Sequence, residues 1–263
     1  MMGDKRALQA GTSHYLGQNF AKAFDVKFQN EKNEEELVFA TSWGVSTRLI
    51  GAVIMVHGDD KGLRLPPKIA PIQIIIIPIG KNEEDYNEIK TFLTPLINEL
   101  TKNQIRFKID DRLTVSPGYK FNEWEMKGVP IRIEIGLRDC NNKILTIARR
   151  DKNEKINVDI HKSCEFIIQQ LEDIQNCLFN KAYDFQQKNT FRVENYNEFK
   201  KIIENGGFVR CGWDGTNETE LKIKKETNAT IRCIPLDTNN IQNLKCIYSN
   251  ETAKHEVIFA KAY

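Results

Sequence analysis

The sequence predicts a multidomain chain of mixed α/β and α+β class, and three observations carry that reading. Between residues 72 and 148 short apolar runs alternate with stretches of helical periodicity, the pattern of an α/β layer with a mixed, mostly parallel sheet. Ahead of it, two strand-like runs flank a polar turn, which suits an antiparallel sheet. Behind it, residues 208–262 read as a small α+β unit. At 263 residues the chain has room for two or three small domains with cores of their own, and we expect them at 1–70, 71–175 and 176–263.

The totals narrow the function classes. Charged residues make up 28% of the chain but the net charge is only +2, which argues against a polybasic nucleic-acid binder while leaving room for a local basic face. The longest apolar run, 71–79, is far short of the ~20 residues that span a bilayer. The N-terminus lacks the layout of a signal peptide, so no membrane partner and a cytoplasmic location are expected. Six cysteines without C-x-x-C spacing fit free thiols in a reducing compartment.

Taken in order, residues 25–28 and 36–40 read as strands and 29–35 as their turn. The stretch 41–62, T-S-W-G-V-S-T-R-L-I-G-A-V-I-M-V-H-G-D-D-K-G, passes from a small-residue turn into an apolar stripe at Leu49, Ile50, Val53 and Ile54 with helical spacing. A loop thus opens a helix beside Arg48. Free N–H groups, the positive dipole end and a guanidinium fork suit a phosphate; a buried amphipathic helix with one exposed arginine fits the same spacing.

Prolines at 66, 67 and 71 mark an exit, and 72–79 reads as a strand buried on both faces. Residues 82–100 form a helix with an Asn82 cap, an acidic first turn and a face of Tyr86, Ile89, Phe92, Leu93, Leu96, Ile97 and Leu100, which Pro95 should kink or interrupt. Strands follow at 105–109, 131–135 and 144–148, with a helix at 119–127. A long amphipathic helix covers 163–185. A shorter one, 195–204, ends on Gly206-Gly207 as a left-handed cap. Strand 208–211, helix 218–225, strand 231–235, a polar loop 237–243 and strand 257–262 complete the chain. The tail should pack through Phe208, Ile223, Ile231, Ile234, Leu244, Ile247 and Phe259.

The stretch 41–62 resembles motif 3 of a class II aminoacyl-tRNA synthetase, in the form of prolyl-tRNA synthetases of the archaeal and eukaryotic type. G-T-S-H-Y-L-G-Q-N-F at 11–20 and G-L-R-L-P-P-K-I-A-P at 62–71 match the same family, and the similarity continues to Tyr263. V-P-I-R-I-E-I-G at 129–136, followed by Arg138-Asp139, resembles the signature of its anticodon-binding domain, with Leu137 where the family usually has Pro. The resemblance implies part of a class II antiparallel catalytic sheet, an α/β anticodon-binding domain and a small C-terminal domain. It implies proline–tRNA ligation, with ATP and Mg2+ as co-substrate, proline and tRNA-Pro as partners, and a homodimer.

Residue by residue, the resemblance places ATP at Gln9, Thr12, Ser46, Thr47 and Arg48, and proline at His14 and Trp43. Without the family, His14 reads as a satisfied structural histidine. Glu125 and Lys127, beside Trp124, become candidates for reading anticodon guanines; otherwise they are a surface charge cluster. The family's motif 2 arginine and its imino-group acids lie upstream of the 11–20 string, so the chain reads as a C-terminal portion, catalytically incomplete alone. The competing reading is a non-catalytic module that binds tRNA or protein. The family tail often binds zinc through four cysteines; here Cys211 and Cys246 stand, but Thr216 and Ile247-Tyr248-Ser249 supply no further thiolate, so no zinc is expected. His255 and Asp214 are side chains that a metal could recruit instead.

Overall fold

The structure is a computed structural model describing residues 1–237 and 243–263, so most of the loop expected at 237–243 lies outside the described residues. The chain divides into two compact units, residues 1–52 with 190–263, and residues 53–189. No helix among the described residues is long and apolar enough to cross a membrane.

The first unit opens with β1 (Thr12–Gly17), α1 (Asn19–Phe24), the hairpin β2 (Lys27–Gln29) and β3 (Glu35–Leu37), then β4 (Ala40–Gly44) and α2 (Arg48–His57), which runs across the division. The hairpin appears where its strands were expected, with boundaries shifted by one to three residues. Its turn is set by Asn30, whose Oδ1 accepts from Lys32 N at 2.8 Å and Glu34 N at 3.0 Å, an Asx turn. The turn expected at 41–44 is a correction, and so is the string at 11–20, which from sequence reads as a loop. Both hold strands, β1 pairing antiparallel with β4 with Thr12 opposite Gly44 and His14 opposite Ser42. Thr12, Tyr15, Thr41 and Trp43 carry the β-branched and aromatic side chains that fit a pleated ribbon, a signal the glycines had masked. The helix after Arg48 forms as expected, yet none of its residues is buried, and Leu49, Ile50 and Ile54 lie exposed.

The second unit contains β5 (Ile74–Ile79), α3 (Glu83–Lys102), β6 (Phe107–Ile109), α4 (Pro117–Met126), β7 (Ile131–Gly136), α5 (Leu137–Asn142), β8 (Ile144–Arg149), β9 (Lys155–Asp159) and α6 (Ser163–Lys188). Its sheet runs β6-β5-β7-β8-β9. Strand β5 is parallel to β6 and β7, whereas β7–β8 and β8–β9 are antiparallel, so the parallel character ends at β7. Strand β9 was not expected, although Ile156 and Val158 alternate with polar residues as in an edge strand. The apolar run of β5 is buried on both faces: Ile74 and Ile76 join the core under α3 and α6, and Ile75 and Ile77 pack with Trp124 and Val129. Each such isoleucine contributes about 1.5–3 kcal/mol of transfer free energy, which makes β5 the centre of the unit. Helix α3 has its Asn82 cap, Oδ1 accepting from Asp85 N at 2.9 Å, and it continues past Pro95 to Lys102 without interruption.

The first unit resumes with β10 (Thr190–Arg192), α7 (Tyr196–Asn205), β11 (Phe208–Trp213), α8 (Asn217–Thr227), β12 (Ala229–Cys233) and β13 (His255–Lys261). The sheet order is β10-β11-β13-β12, with β10 parallel to β11 and the other pairs antiparallel. Phe199, Val209, Ile223, Val257 and Phe259 form the fully buried centre. Of the expected packing residues, Phe208, Ile223, Ile247 and Phe259 are buried and Ile231 is half-buried. Ile234 is 50% exposed because β12 ends at Cys233, one residue before it. Gly206 caps α7 at φ 80°, ψ 140°, an extended positive-φ conformation rather than the left-handed helical one expected. The last residues run beside Ala7, which donates its N–H to Lys261 O at 2.9 Å and accepts from Tyr263 N at 3.1 Å.

Candidate functional site

Two polar concavities, one in each unit, gather the residues singled out from sequence. In the first unit Gln9, Thr12, His14, Trp43, Ser46 and Arg48 line a cavity of about 310 Å³, together with Gly11, Ser42 and Gly44. The ribbon explains the grouping of Thr12, His14, Ser42 and Gly44. Cross-strand partners share a face, so Thr12 with Gly44 and His14 with Ser42 present one face, and Trp43 with Ser13 belongs to the other. Trp43 is 80% exposed.

At the cavity's edge the start of α2 is fixed locally. Ser46 Oγ accepts from Arg48 N at 3.3 Å, and Ser46 O accepts from Leu49 N at 3.1 Å. Arg48 Nη1 donates to Gln9 Oε1 at 3.3 Å, and Gln9 Nε2 donates to Thr12 Oγ1 at 2.9 Å. This chain orients the guanidinium by a neutral amide and leaves its charge without a carboxylate partner among the described residues. An unneutralised fork beside a helix start suits an anionic group. Thr47 is not among the lining residues; its carbonyl accepts from Ile50 N at 3.0 Å and so helps to begin the helix.

The second concavity, about 170 Å³, is lined by Trp124, Glu125, Lys61, Arg132, Arg150, Asn153 and Lys155 among others. Sequence reasoning reached Glu125 but not Lys61, Arg132, Arg150, Asn153 or Lys155, because residues from the 58–65 segment, α4, β7 and the β8–β9 turn meet only through tertiary structure. Trp124 is anchored by donating Nε1 to Asp110 Oδ2 at 2.7 Å. Burial alone would push the Asp110 carboxyl up, but hydrogen bonds from Arg112 and Trp124 outweigh it and hold it well below the usual range. Lys127 lies outside the lining: its Nζ sits 4.5 Å from the Trp124 ring centroid and pairs with Glu123 at 2.6 Å.

The 58–65 segment is clamped against the corner that follows α4. Leu63 N donates to Met126 O at 2.9 Å and Leu65 N to Gly128 O at 3.1 Å. A side chain at Gly128, where φ is 73°, would meet Leu63 at 2.6 Å, so glycine is required there. Asp59 accepts from Arg150 and pairs with Arg64, and the Arg150 hydrogen bond is the main reason its carboxyl is held down to about 2. Lys61 Nζ lies 3.2 Å from Glu125 Oε1, yet that oxygen is buried and accepts no well-formed hydrogen bond among the described residues. On the strand side Arg132 and Lys155 share Glu134, at 2.8 Å each, and the Arg132 guanidinium lies 4.5 Å from the Phe121 ring centroid. The result is a cationic recess with one carboxylate acceptor at its wall. It can take a flat, N–H-bearing group attached to a polyanion.

Comparison with known proteins decides the family. Residues 73–170 match the anticodon binding domain family and residues 196–263 match the family described as prolyl-tRNA synthetase, C-terminal. The whole chain is 49% identical to a proline–tRNA ligase of Azobacteroides pseudotrichonymphae, covering 53% of that protein. It is 50% identical to one of Flavobacterium johnsoniae and 49% identical to one of Salinibacter ruber, each time over the full chain and 54% of the relative. The chain belongs to the prolyl-tRNA synthetase family. It corresponds to a C-terminal portion, and it spans about half the length of the curated relatives it matches.

Membership in the prolyl-tRNA synthetase family raises the question of the tail metal. Cys211 and Cys246 are both buried, and burial pushes the Cys211 thiol far up, away from the thiolate a metal needs. Thr216 and the stretch Ile247-Tyr248-Ser249 offer no further thiolate, and the Thr216 and Ser249 hydroxyls are both committed to Asp214. The His255 ring lies 6.0 Å from that of Trp213. Among the described residues no cluster of three or more His, Cys, Asp or Glu side chains could hold a metal ion. Two soft thiols and two engaged hydroxyls do not fit tetrahedral zinc.

Proposed function

We propose that this chain provides the motif 3 half of a proline-activating site and the anticodon reader of a proline–tRNA ligase, divided functionally as residues 1–70, 71–175 and 176–263. The single observation that carries the reading is the convergence of Gln9, Thr12, His14, Ser46 and Arg48 on one cavity. ATP would lie along Gln9, Thr12, Ser46, Thr47 and Arg48, with Arg48 neutralising the terminal phosphates. Proline would sit toward His14 and Trp43. The β1–β4 ribbon and the β2–β3 hairpin would then belong to an antiparallel class II catalytic sheet. Carboxylate attack on the α-phosphorus asks the protein for positioning and charge neutralisation, which this set of groups can supply. Mg2+ would enter with the nucleotide, and the assembled enzyme would be a cytoplasmic homodimer.

The second unit would read tRNA-Pro. An anticodon guanine entering the recess would offer N–H donors to Glu125 Oε1, which is ion-paired with Lys61 but accepts no well-formed hydrogen bond among the described residues, while Arg132 and Lys155 would meet its acceptor edge and phosphate. Lys127, stacked on Trp124 outside the recess, would meet the neighbouring nucleotide. ATP–pyrophosphate exchange with proline tests the first half of the proposal. A chain extended to the relatives' full length should support exchange and the 263-residue chain by itself should not. Exchange by the short chain would overturn the expectation that the activation site is completed by residues outside it.

A further inference from the structure

Asp214 follows β11 and is only 5% exposed, and no Lys, Arg or His among the described residues pairs with it. An uncompensated buried carboxylate is costly unless donors surround it. Here they do. Oδ1 accepts from Thr216 N at 3.0 Å and Thr216 Oγ1 at 2.8 Å, and Oδ2 accepts from Thr219 Oγ1 at 2.7 Å and Ser249 Oγ at 2.8 Å. Thr216 is also the N-cap of the eleven-residue α8, its Oγ1 accepting from Thr219 N at 3.3 Å, so the carboxylate sits at the positive end of that helix.

The four donors come from the start of α8 and from the turn that carries Ser249. That turn is held next to β11, since Ile247 N donates to Gly212 O at 3.0 Å and Gly212 bridges Cys246. Thus two of the hydroxyls that hold the carboxylate, Thr216 and Ser249, lie in the stretches after Cys211 and Cys246 where a four-thiolate site would require further cysteines.

We propose that Asp214, with Thr216, Thr219 and Ser249, forms a metal-free clasp that fixes β11, α8 and the 247–250 turn, doing by anion–hydroxyl hydrogen bonds what a structural metal would do with four thiolates. The clasp needs no reduced thiols and no metal supply. It also predicts that the site is reconvertible: Thr216→Cys and Ser249→Cys add two thiols to Cys211 and Cys246, enough for a four-sulfur site.

The test uses the full 263-residue chain, produced with zinc in the medium and purified without chelator. Elemental analysis should find far less than one zinc per chain, and chelator should leave unfolding unchanged. Ser249→Ala and Thr219→Val each remove one hydroxyl with little loss of volume, and should speed hydrogen exchange of the β11 amides about tenfold or more while exchange in β5 stays the same. The Thr216→Cys/Ser249→Cys variant should take up one zinc per chain, give the thiolate-to-metal absorption of Co2+, and become chelator-sensitive. Stoichiometric zinc in the natural chain, unchanged β11 exchange in both hydroxyl variants, or a double-cysteine variant that binds no metal would each overturn the clasp.

Discussion

Removing the Asp110 carboxylate should be the most damaging single truncation in the second unit, and its size follows from the contacts. Asp110 is 3% exposed and accepts from Arg112 Nε at 2.8 Å, Arg112 Nη2 at 2.7 Å and Trp124 Nε1 at 2.7 Å. Behind it Lys120 is fully buried, its Nζ donating to Asp110 O at 3.0 Å and to Tyr86 Oη at 3.4 Å, with Asp110 Oδ1 4.0 Å away. Asp110→Ala leaves the Trp124 indole N–H unpaired, which costs about 1–3 kcal/mol, and strips the carboxylate that pairs with the buried Lys120 ammonium, a loss on the order of 3–5 kcal/mol. These overlap, so we expect about 3–5 kcal/mol in total, a large part of the ~5–15 kcal/mol that holds a domain.

Urea unfolding followed by Trp124 fluorescence, in a Trp43→Phe/Trp213→Phe background, measures the loss. The double variant Asp110→Ala/Lys120→Met removes both charges and should recover about 1–3 kcal/mol of it, because the penalty is mostly that of an orphaned charge. The pH dependence has a fixed sign. The folded carboxyl is held below its unfolded value of about 3.9, so its stabilisation is complete above that value and disappears as pH falls toward the depressed folded one. Asp110→Asn should therefore flatten the acid limb of the stability curve without changing its shape near neutrality. A loss under about 1 kcal/mol in Asp110→Ala, or no recovery in the double variant, would refute the argument that this buried pair organises the corner bearing Glu125 and Lys127.

Three further outcomes follow from the same geometry. In the full-length enzyme Arg48→Ala should lose charge-assisted contacts worth about 1.5–3 kcal/mol, seen as weaker ATP use in pyrophosphate exchange, with Arg48→Lys restoring part of it because a point charge cannot replace the fork; an unchanged ATP dependence would remove Arg48 from the nucleotide. Glu125→Ala should reduce discrimination between tRNA-Pro and a tRNA with altered anticodon guanines, while Lys127→Ala should weaken both, compared at one salt concentration. Gly128→Ala forces φ near 73° on a residue with a Cβ 2.6 Å from Leu63, and should loosen the 58–65 clamp, measured as faster proteolysis between α2 and β5.

How much of this was legible in the sequence depended on how local each feature is. Helices α3, α6, α7 and α8 and strands β5, β7 and β8 declared themselves because caps and apolar periods lie within a few residues, as with Asn82 and its acidic turn. The short pieces did not. Strand β10 has three residues and helix α1 six, too few for a period to register, and β10 is held by β11, well separated from it in sequence. Strands β1 and β4 were hidden by glycines that suggested turns, although their pairing brings together the residues matched to the family.

The sites divide in the same way. The cavity around Arg48 was reachable, since its residues come from two strings already marked by resemblance and separated by one ribbon pairing. The recess at Glu125 was reachable only at its wall; Lys61, Arg132, Asn153 and Lys155 join it through the mixed sheet, and no spacing in the chain announces that Asp59 will draw Arg64 and Arg150 onto one carboxylate. Asp214 shows why a missing motif is harder to interpret than a present one. Thr216 and the stretch Ile247-Tyr248-Ser249 were visible as lacking thiolates, which said what the tail could not bind. That the same hydroxyls converge on a buried carboxylate depends on a turn more than thirty residues away, so what replaces the thiolates could be found only once the chain was folded.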